Sequence, residues 1–267
     1  MSKLTRLKTR RTDAGVLEVR LANGPVNAVD QPMYQEIATL FRDVDAIATD
    51  IRAIVLAAEG KHFCGGNDLD EFAAMTPENG GERMWRVREA FFAISECTVP
   101  VVAAVHGVAL GTGLAIAGSC DVIVAAPDAR FGLPELTVGV MGGARHLARF
   151  APQPVVRRMF FTGEHLTASE LRAAGGAVII ADGATPIDHA HRIAARIAGM
   201  SPTAVRVGKA VLDRIEWMDL RSGYEFEQAA TVRMAGFADS KEALAAFREK
   251  RDPDYLPLGR RNTLYPA

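Results

Sequence analysis

The stretch Pro100 to Asp121, PVVAAVHGVALGTGLAIAGSCD, constrains the fold more than any other part of the chain. A β-branched apolar run breaks at a glycine-rich turn and restarts as an apolar helix, so a buried strand must feed a buried helix. Val101, Val102 and Val105 favour a pleated backbone, Gly107, Gly111 and Gly113 permit tight turning, and Leu114 to Ala117 is apolar on every face. A helix starting near Thr112 carries free backbone N–H groups at its positive end, which stabilise negative charge in front of the turn. A second turn of this kind lies upstream. His62-Phe-Cys-Gly-Gly-Asn-Asp-Leu69 follows the apolar run Ala53 to Ala58 and leaves the N–H of Asn67 pointing outwards. Two strand-end N–H groups can then converge on one oxygen.

Strand and helix patterns alternate around this stretch. Val16 to Leu21 and Arg52 to Ala57 read as strands. Between them Asp30 caps a helix with Pro32 in its first turn and Met33, Ile37, Leu40, Val44 and Ile47 along one face. Asp70 to Gly81 mixes charge, Pro77 and the run Asn79-Gly80-Gly81, which predicts a mobile flap, with a helix from Glu82 to Ser95. Strands return at Val101 to Val105 and Val122 to Ala125, implying largely parallel pairing, and Phe131-Gly-Leu-Pro-Glu135 predicts a short extended piece. Thr167-Ala-Ser-Glu170 is a capping box, Ala177 to Ala181 a further strand. Helices follow from Ser201-Pro202, from Asp219 and from Asp239-Ser-Lys-Glu242. We expect an α/β core over residues 1–200. Residues 201–267 form a C-terminal helical region, for oligomerisation or as a lid, whose helices are too short to hold a core of their own.

With 267 residues, 49% of them hydrophobic, the chain can bury one full core. A formal charge of -1 gives no footprint for nucleic acid or for a membrane surface. No apolar run reaches the roughly 18 residues a membrane span needs. Lys3, Arg6, Lys8, Arg10 and Arg11 interrupt the start too densely for a secretory signal, so a cytoplasmic location is expected. Cys64, Cys97 and Cys120 are an odd, sparse set inside apolar runs, as suits reduced thiols used as core residues.

The most informative acid is Glu135. In the apolar context FGLPEL a carboxylate is costly unless it works, and desolvation there raises its pKa towards neutrality, as a general acid or base requires; the alternative is a solvated loop glutamate. Rival chemistries find less support. Gly111-Thr-Gly113 suggests a dinucleotide fingerprint, but Gly118 follows two residues too late for that motif, and the spacing of a phosphate-binding P-loop is absent. His189 and His191 are two apart on a predicted helix and do not share a face, so no zinc-ligand spacing exists and no metal is expected. No GxSxG marks a serine nucleophile, and Ser119 lies within the apolar helix. His106 reads as a hydrogen-bonded core histidine.

Four pieces in order resemble the enoyl-CoA hydratase/isomerase family, the crotonases: Phe63 to Leu69, His106 to Gly113 with Asp121, Phe131 to Glu135, and Phe237 with the ending Glu242 to Tyr255. With Asn27-Ala28 near the start, the resemblance spans almost the whole chain. It implies a crotonase-like spiral of ββα units, a homotrimer or homohexamer, and a coenzyme A thioester as substrate with no separate cofactor. By position it implies an oxyanion hole made by the backbone N–H groups of Asn67 and Thr112, with Glu135 as catalytic acid/base. Around the acyl-CoA it implies Val26, Ala28, Cys64, Gly66, Asp68 and Leu69 on one side, and Leu110, Gly111, Ala115, Val140 and Gly143 on the other.

One departure bears on the reaction. Family hydratases place a second glutamate three residues after the second hole donor, where this chain has Ala115. A single glutamate suits double-bond migration, which takes a proton from C2 and returns it at C4, better than hydration. Gly66-Asn-Asp-Leu69 also resembles certain family isomerases, although some of those carry their glutamate where this chain has Val140 to Ala144. Asp68, Asp70 and Glu71 are candidates for a replacement carboxylate. Hydration by another route and a non-catalytic acyl-CoA-binding relative remain the alternatives.

Overall fold

The computed structural model describes residues 4–12, 14–47 and 50–255. It opens with an antiparallel pair, β1 (Leu7–Arg11) and β2 (Val16–Leu21). Only β2 was visible in the sequence, because β1 is an edge strand with one buried and four exposed side chains. Asp30 accepts from the Met33 N–H and starts α1 (Gln31–Arg42), followed by the single turn α2 (Val44–Ile47) and the wholly buried β3 (Ala53–Ala58). The stretch expected as a flap is helical instead. Asp68 caps α3 (Leu69–Ala73), and Thr76 and Asn79 form a reciprocal capping box that starts α4 (Pro77–Ser95) at Pro77 rather than Glu82. Two capped starts outweigh the helix-weakening glycines Gly80 and Gly81.

The central stretch folds as β4 (Val101–Val105), β5 (Val108–Leu110) and α5 (Thr112–Ser119), then β6 (Val122–Ala125) and β7 (Arg130–Gly132). The extended piece ends at Gly132, and Glu135 lies in a 3-10 turn, Pro134–Val138, because proline suits the first position of a helical turn. Next come α6 (Ala144–Leu147), α7 (Gln153–Thr162), β8 (His165–Thr167), α8 (Ala168–Ala173), β9 (Ile179–Ile180) and α9 (Pro186–Ala198). The main sheet runs β1-β2-β3-β4-β6-β9 and is parallel from β2 onwards; a small second sheet runs β5-β7-β8.

Strand alternation divides the core in two. Ile54, Leu56, Val101, Ala103 and Val105 face α1, α4 and α5, where Met33, Ile37, Phe91 and Leu114 fill the space. Val55, Ala57, Val102 and Ala104 face α9, whose Ala190, Ala194 and Ala198 let the helix lie close to the sheet.

Three further helices follow: α10 (Pro202–Ile215), α11 (Leu220–Met234) and α12 (Ala238–Glu249). Ser201 and Asp219 cap the first two as expected. The third differs, since its N-cap is Phe237. Asp239 is buried and accepts from the Ser201 hydroxyl and the Thr203 N–H, tying α12 to the start of α10. α10 meets the α/β body through buried cations. Arg206 binds Asp45 at 2.8 and 2.7 Å, and Lys209 binds Asp121 and Asp213 at 2.9 Å each and the Ser95 carbonyl. The end of the region drawn from residue 201, residues 256–267, lies outside the described residues. No helix among the described residues is long and apolar enough to cross a membrane.

Candidate active site

The two glycine turns are joined edge to edge. The Cys64 N–H donates to the Val108 carbonyl at 2.9 Å and the Leu110 N–H to the Cys64 carbonyl at 3.0 Å, so the turn after β3 pairs with β5 through the bridge between Cys64 and Ala109. On its other side the Asn67 turn pairs with Val29, whose N–H donates to the Gly66 carbonyl while the Asp68 N–H donates to the Val29 carbonyl. Successive N–H groups of an extended chain point to opposite edges, so that of Asn67 faces away from Val29. Thr112 opens α5, so its N–H has no acceptor within the helix, and the Val108 carbonyl four residues back accepts from Cys64 instead.

Glycine is required at three points here. Gly66 has φ 117° and Gly111 has φ 51°, so each donor peptide follows a backbone conformation that L side chains rarely adopt. A Cβ on Gly113 would lie 2.3 Å from the Cys64 carbonyl oxygen, which shows how tightly the first turn of α5 is pressed against the first glycine turn.

Glu135 reaches the same place from β7. Its Oε1 lies in a cradle of glycines: a Cβ built on Gly143, Gly111 or Gly142 would come within 3.1, 3.3 or 3.6 Å of it. The Val140 N–H donates to the Glu135 carbonyl at 3.0 Å and closes the turn. The other carboxylate oxygen, Oε2, is buried with no hydrogen-bond partner among the described residues. Burial without an offsetting partner side chain pushes the Glu135 pKa up to about 7. A carboxyl poised at neutrality therefore stands against Gly111, the residue preceding Thr112.

The sequence model of the enoyl-CoA hydratase/isomerase family matches residues 11–257. The chain belongs to that family. It is 35% identical over 240 residues to the (7aS)-7a-methyl-1,5-dioxo-2,3,5,6,7,7a-hexahydro-1H-indene-carboxyl-CoA hydrolase of Rhodococcus jostii (strain RHA1), covering 86% of this chain and 91% of that one. It is 33% identical to the 2,3-dehydroadipyl-CoA hydratase of Escherichia coli (strain K12), covering 86% and 90%. The crystal structure of an enoyl-CoA hydratase from Mycobacterium smegmatis superposes with a TM-score of 0.86 at 29% identity, covering 94% of this chain and 99% of that one. The crotonase fold expected from the sequence is the fold observed.

In this enoyl-CoA hydratase/isomerase family member, position 115 is an alanine buried in α5. The acidic residues around α3 are placed as follows. Asp68 accepts from the Asp70 and Glu71 N–H groups as a helix cap, and Glu71 accepts from the Gln31 N–H and from Arg83 at 2.8 Å, which leaves only Asp70 with an exposed, uncommitted carboxylate. Leu69 is exposed at the start of α3. Val26 sits beside Gly65, whose N–H donates to the Val26 carbonyl, and the Ala28 carbonyl accepts from the Asn23 side chain. Their loop is held by Asn27, whose side-chain amide donates to the Glu59 and His62 carbonyls at 2.8 Å each. His106 is hydrogen-bonded as expected, its Nε2 3.0 Å from the Gly60 carbonyl, but it is half-buried rather than in the core.

One residue of the site went unread in the sequence. The Tyr34 hydroxyl lies 2.5 Å from Asn67 Oδ1 and 3.1 Å from Thr112 Oγ1. The available signal was a tyrosine three residues before Ile37 on the apolar face of α1, because a buried phenol needs a polar partner.

Proposed function

We propose that the protein binds a coenzyme A thioester with its carbonyl oxygen between the N–H groups of Asn67 and Thr112, and that Glu135 shuttles a proton along the acyl chain. The observation that carries this is the Glu135 carboxyl, whose Oε2 is buried with no hydrogen-bond partner among the described residues, whose pKa is pushed up to about 7, and which packs against Gly111 beside one of the two donors. In the unprotonated form Glu135 takes a proton from C2 of a 3-enoyl thioester. The electron pair left behind spreads onto the carbonyl oxygen, where two fixed N–H dipoles stabilise it; one such donor is worth about 3 to 4 kcal/mol of barrier. Glu135 then returns the proton at C4 as the double bond settles between C2 and C3. The step balances within the substrate and uses only the chain's own groups and the substrate's coenzyme A.

Hydration needs a further group to hold water, and Ala115 occupies the position where family hydratases carry that carboxylate. Migration is therefore favoured over hydration. The test is a panel of 2-enoyl and 3-enoyl thioesters assayed for both reactions. Faster migration is expected, and hydration of a crotonyl-type thioester at least as fast as migration would overturn the preference.

The name of the Rhodococcus relative, a hydrolase, favours a second reading. In that case Glu135 activates water against a carbonyl group, and product analysis in the same panel would detect a cleaved acyl product instead of a shifted double bond.

A further inference from the structure

We propose that Tyr34 is a positioning residue that locks the two donor turns to each other; this rests on the assignment of Asn67 and Thr112 as the oxyanion donors. The three residues come from separate elements: Asn67 from the turn after β3, Thr112 from the start of α5, Tyr34 from α1. An amide oxygen can only accept, so the Tyr34 O–H donates to Asn67 Oδ1 at 2.5 Å. The hydrogen in the 3.1 Å contact must then come from Thr112, whose hydroxyl donates to the Tyr34 oxygen. A directed chain, Thr112 to Tyr34 to Asn67, joins the side chains of both donors, and bonds in such a chain polarise one another.

The site needs such a tether. The glycines at 66 and 111 give the donor peptides their direction, but glycine is also the residue with the most backbone freedom. Asn67 belongs to an isolated bridge and Thr112 is the first residue of a short helix, so neither sits within a full ladder of backbone bonds. Tyr34 supplies rigidity from outside. It is fully buried, and its ring meets the edge of Phe91 at 6.2 Å, with Phe91 in turn against His146 at 4.9 Å. Burial also pushes the phenol above its ordinary range, which favours the protonated form that donates to Asn67.

Tyr34→Phe removes the hydroxyl and keeps the ring. Loosened donors cost less than a lost one, so kcat should fall roughly tenfold, below the 10²–10³ range of a deleted donor, with KM nearly unchanged. A purely structural role would not move the second readout, the carbonyl stretching frequency of a bound enoyl thioester by difference infrared spectroscopy. The wild type and Glu135→Gln, whose hole is intact, should show the shift of a polarised carbonyl, and Tyr34→Phe should show a smaller one. Thr112→Val keeps the backbone N–H and removes the hydroxyl, so it should reproduce the smaller shift. The double variant should be no worse than either single one, because both break the same chain. If Tyr34→Phe does not fold, Thr112→Val carries the comparison alone. Wild-type kcat and carbonyl shift in the folded single variants, or additive losses in the double one, would overturn the tether while leaving the hole intact. No shift in the wild type would overturn the hole itself and the tether with it.

Discussion

A carboxyl group held near pH 7 by burial changes charge in the working range of the protein, which makes Glu135 accessible to titration. Migration needs it unprotonated, so kcat/KM should rise with pH through about 7 and level off above. Glu135→Gln should lower turnover by at least about 10²-fold, the scale of a general acid/base group, with thioester binding retained in calorimetry. The same substitution should act on stability with the opposite sign. The folded-state pKa of about 7 lies above the ordinary 4.5, so between those values the folded protein binds more protons than the unfolded one and loses stability as pH rises. Glutamine does not titrate. The variant should therefore melt above the wild type at pH 8, and the gap should close below pH 4.5, where glutamate is protonated in both states. Ala115→Glu should raise hydration of a 2-enoyl thioester if the missing carboxylate is what limits it; unchanged hydration in a folded variant would place the limit elsewhere.

Among the helices, two glycines should respond to alanine in opposite directions. Gly113 lies at the start of α5 with the Cys64 carbonyl where its Cβ would be, so Gly113→Ala should cost about 1–3 kcal/mol as an overpacked contact and reduce activity by displacing the Asn67 turn. Gly81 lies inside α4 with open space around it, so Gly81→Ala should stabilise by about 0.5–1 kcal/mol through helix propensity alone. Urea unfolding of both variants measures the contrast. α4 also marks where sequence reasoning fell short. The pair Gly80-Gly81 pointed to a flap, whereas the helix is decided by the capping box of Thr76 and Asn79 and by packing of its far end, Ala90 to Ile94, on α1 and the sheet. In α10 the buried charges of Arg206 and Lys209 make contact with the body. Lys209→Ala leaves Asp121 and Asp213 facing each other without their shared cation, and should cost about 3 kcal/mol, the low end for breaking a buried pair, in the same urea assay.

The whole molecule carries apolar surface that one chain does not cover. Leu220 and Phe247 are 90% and 83% exposed on α11 and α12, and Val232 and Tyr224 are exposed on α11. Scattered apolar residues are ordinary, but four on two consecutive C-terminal helices call for a partner surface. We expect a trimer or a hexamer, the count coming from family resemblance, and light scattering at micromolar concentration checks it; a monomer would count against it.

Local chemistry was enough to read most of the strands, the caps at Asp30, Thr167, Ser201 and Asp219, and the apolar setting of Glu135. These depend on neighbours within a few residues, where propensity, capping and glycine conformation act directly. Periodicity showed the alternation of strand with helix, and hence a largely parallel sheet. The edge strand β1 stayed hidden because a strand exposed along most of its length has no apolar pattern to read. The glycine cradle around Glu135 joins the 3-10 turn after β7 to the residues that precede α5 and α6, and the Tyr34 bridge joins α1 to both donor turns. The two Tyr34 bonds each span more than thirty positions of chain, that to Asn67 being the shorter in sequence. Only the packing of α1 onto the sheet and α4 decides that its tyrosine ends at the two donors, because sequence spacing places a side chain on a helix face but does not determine what that face meets.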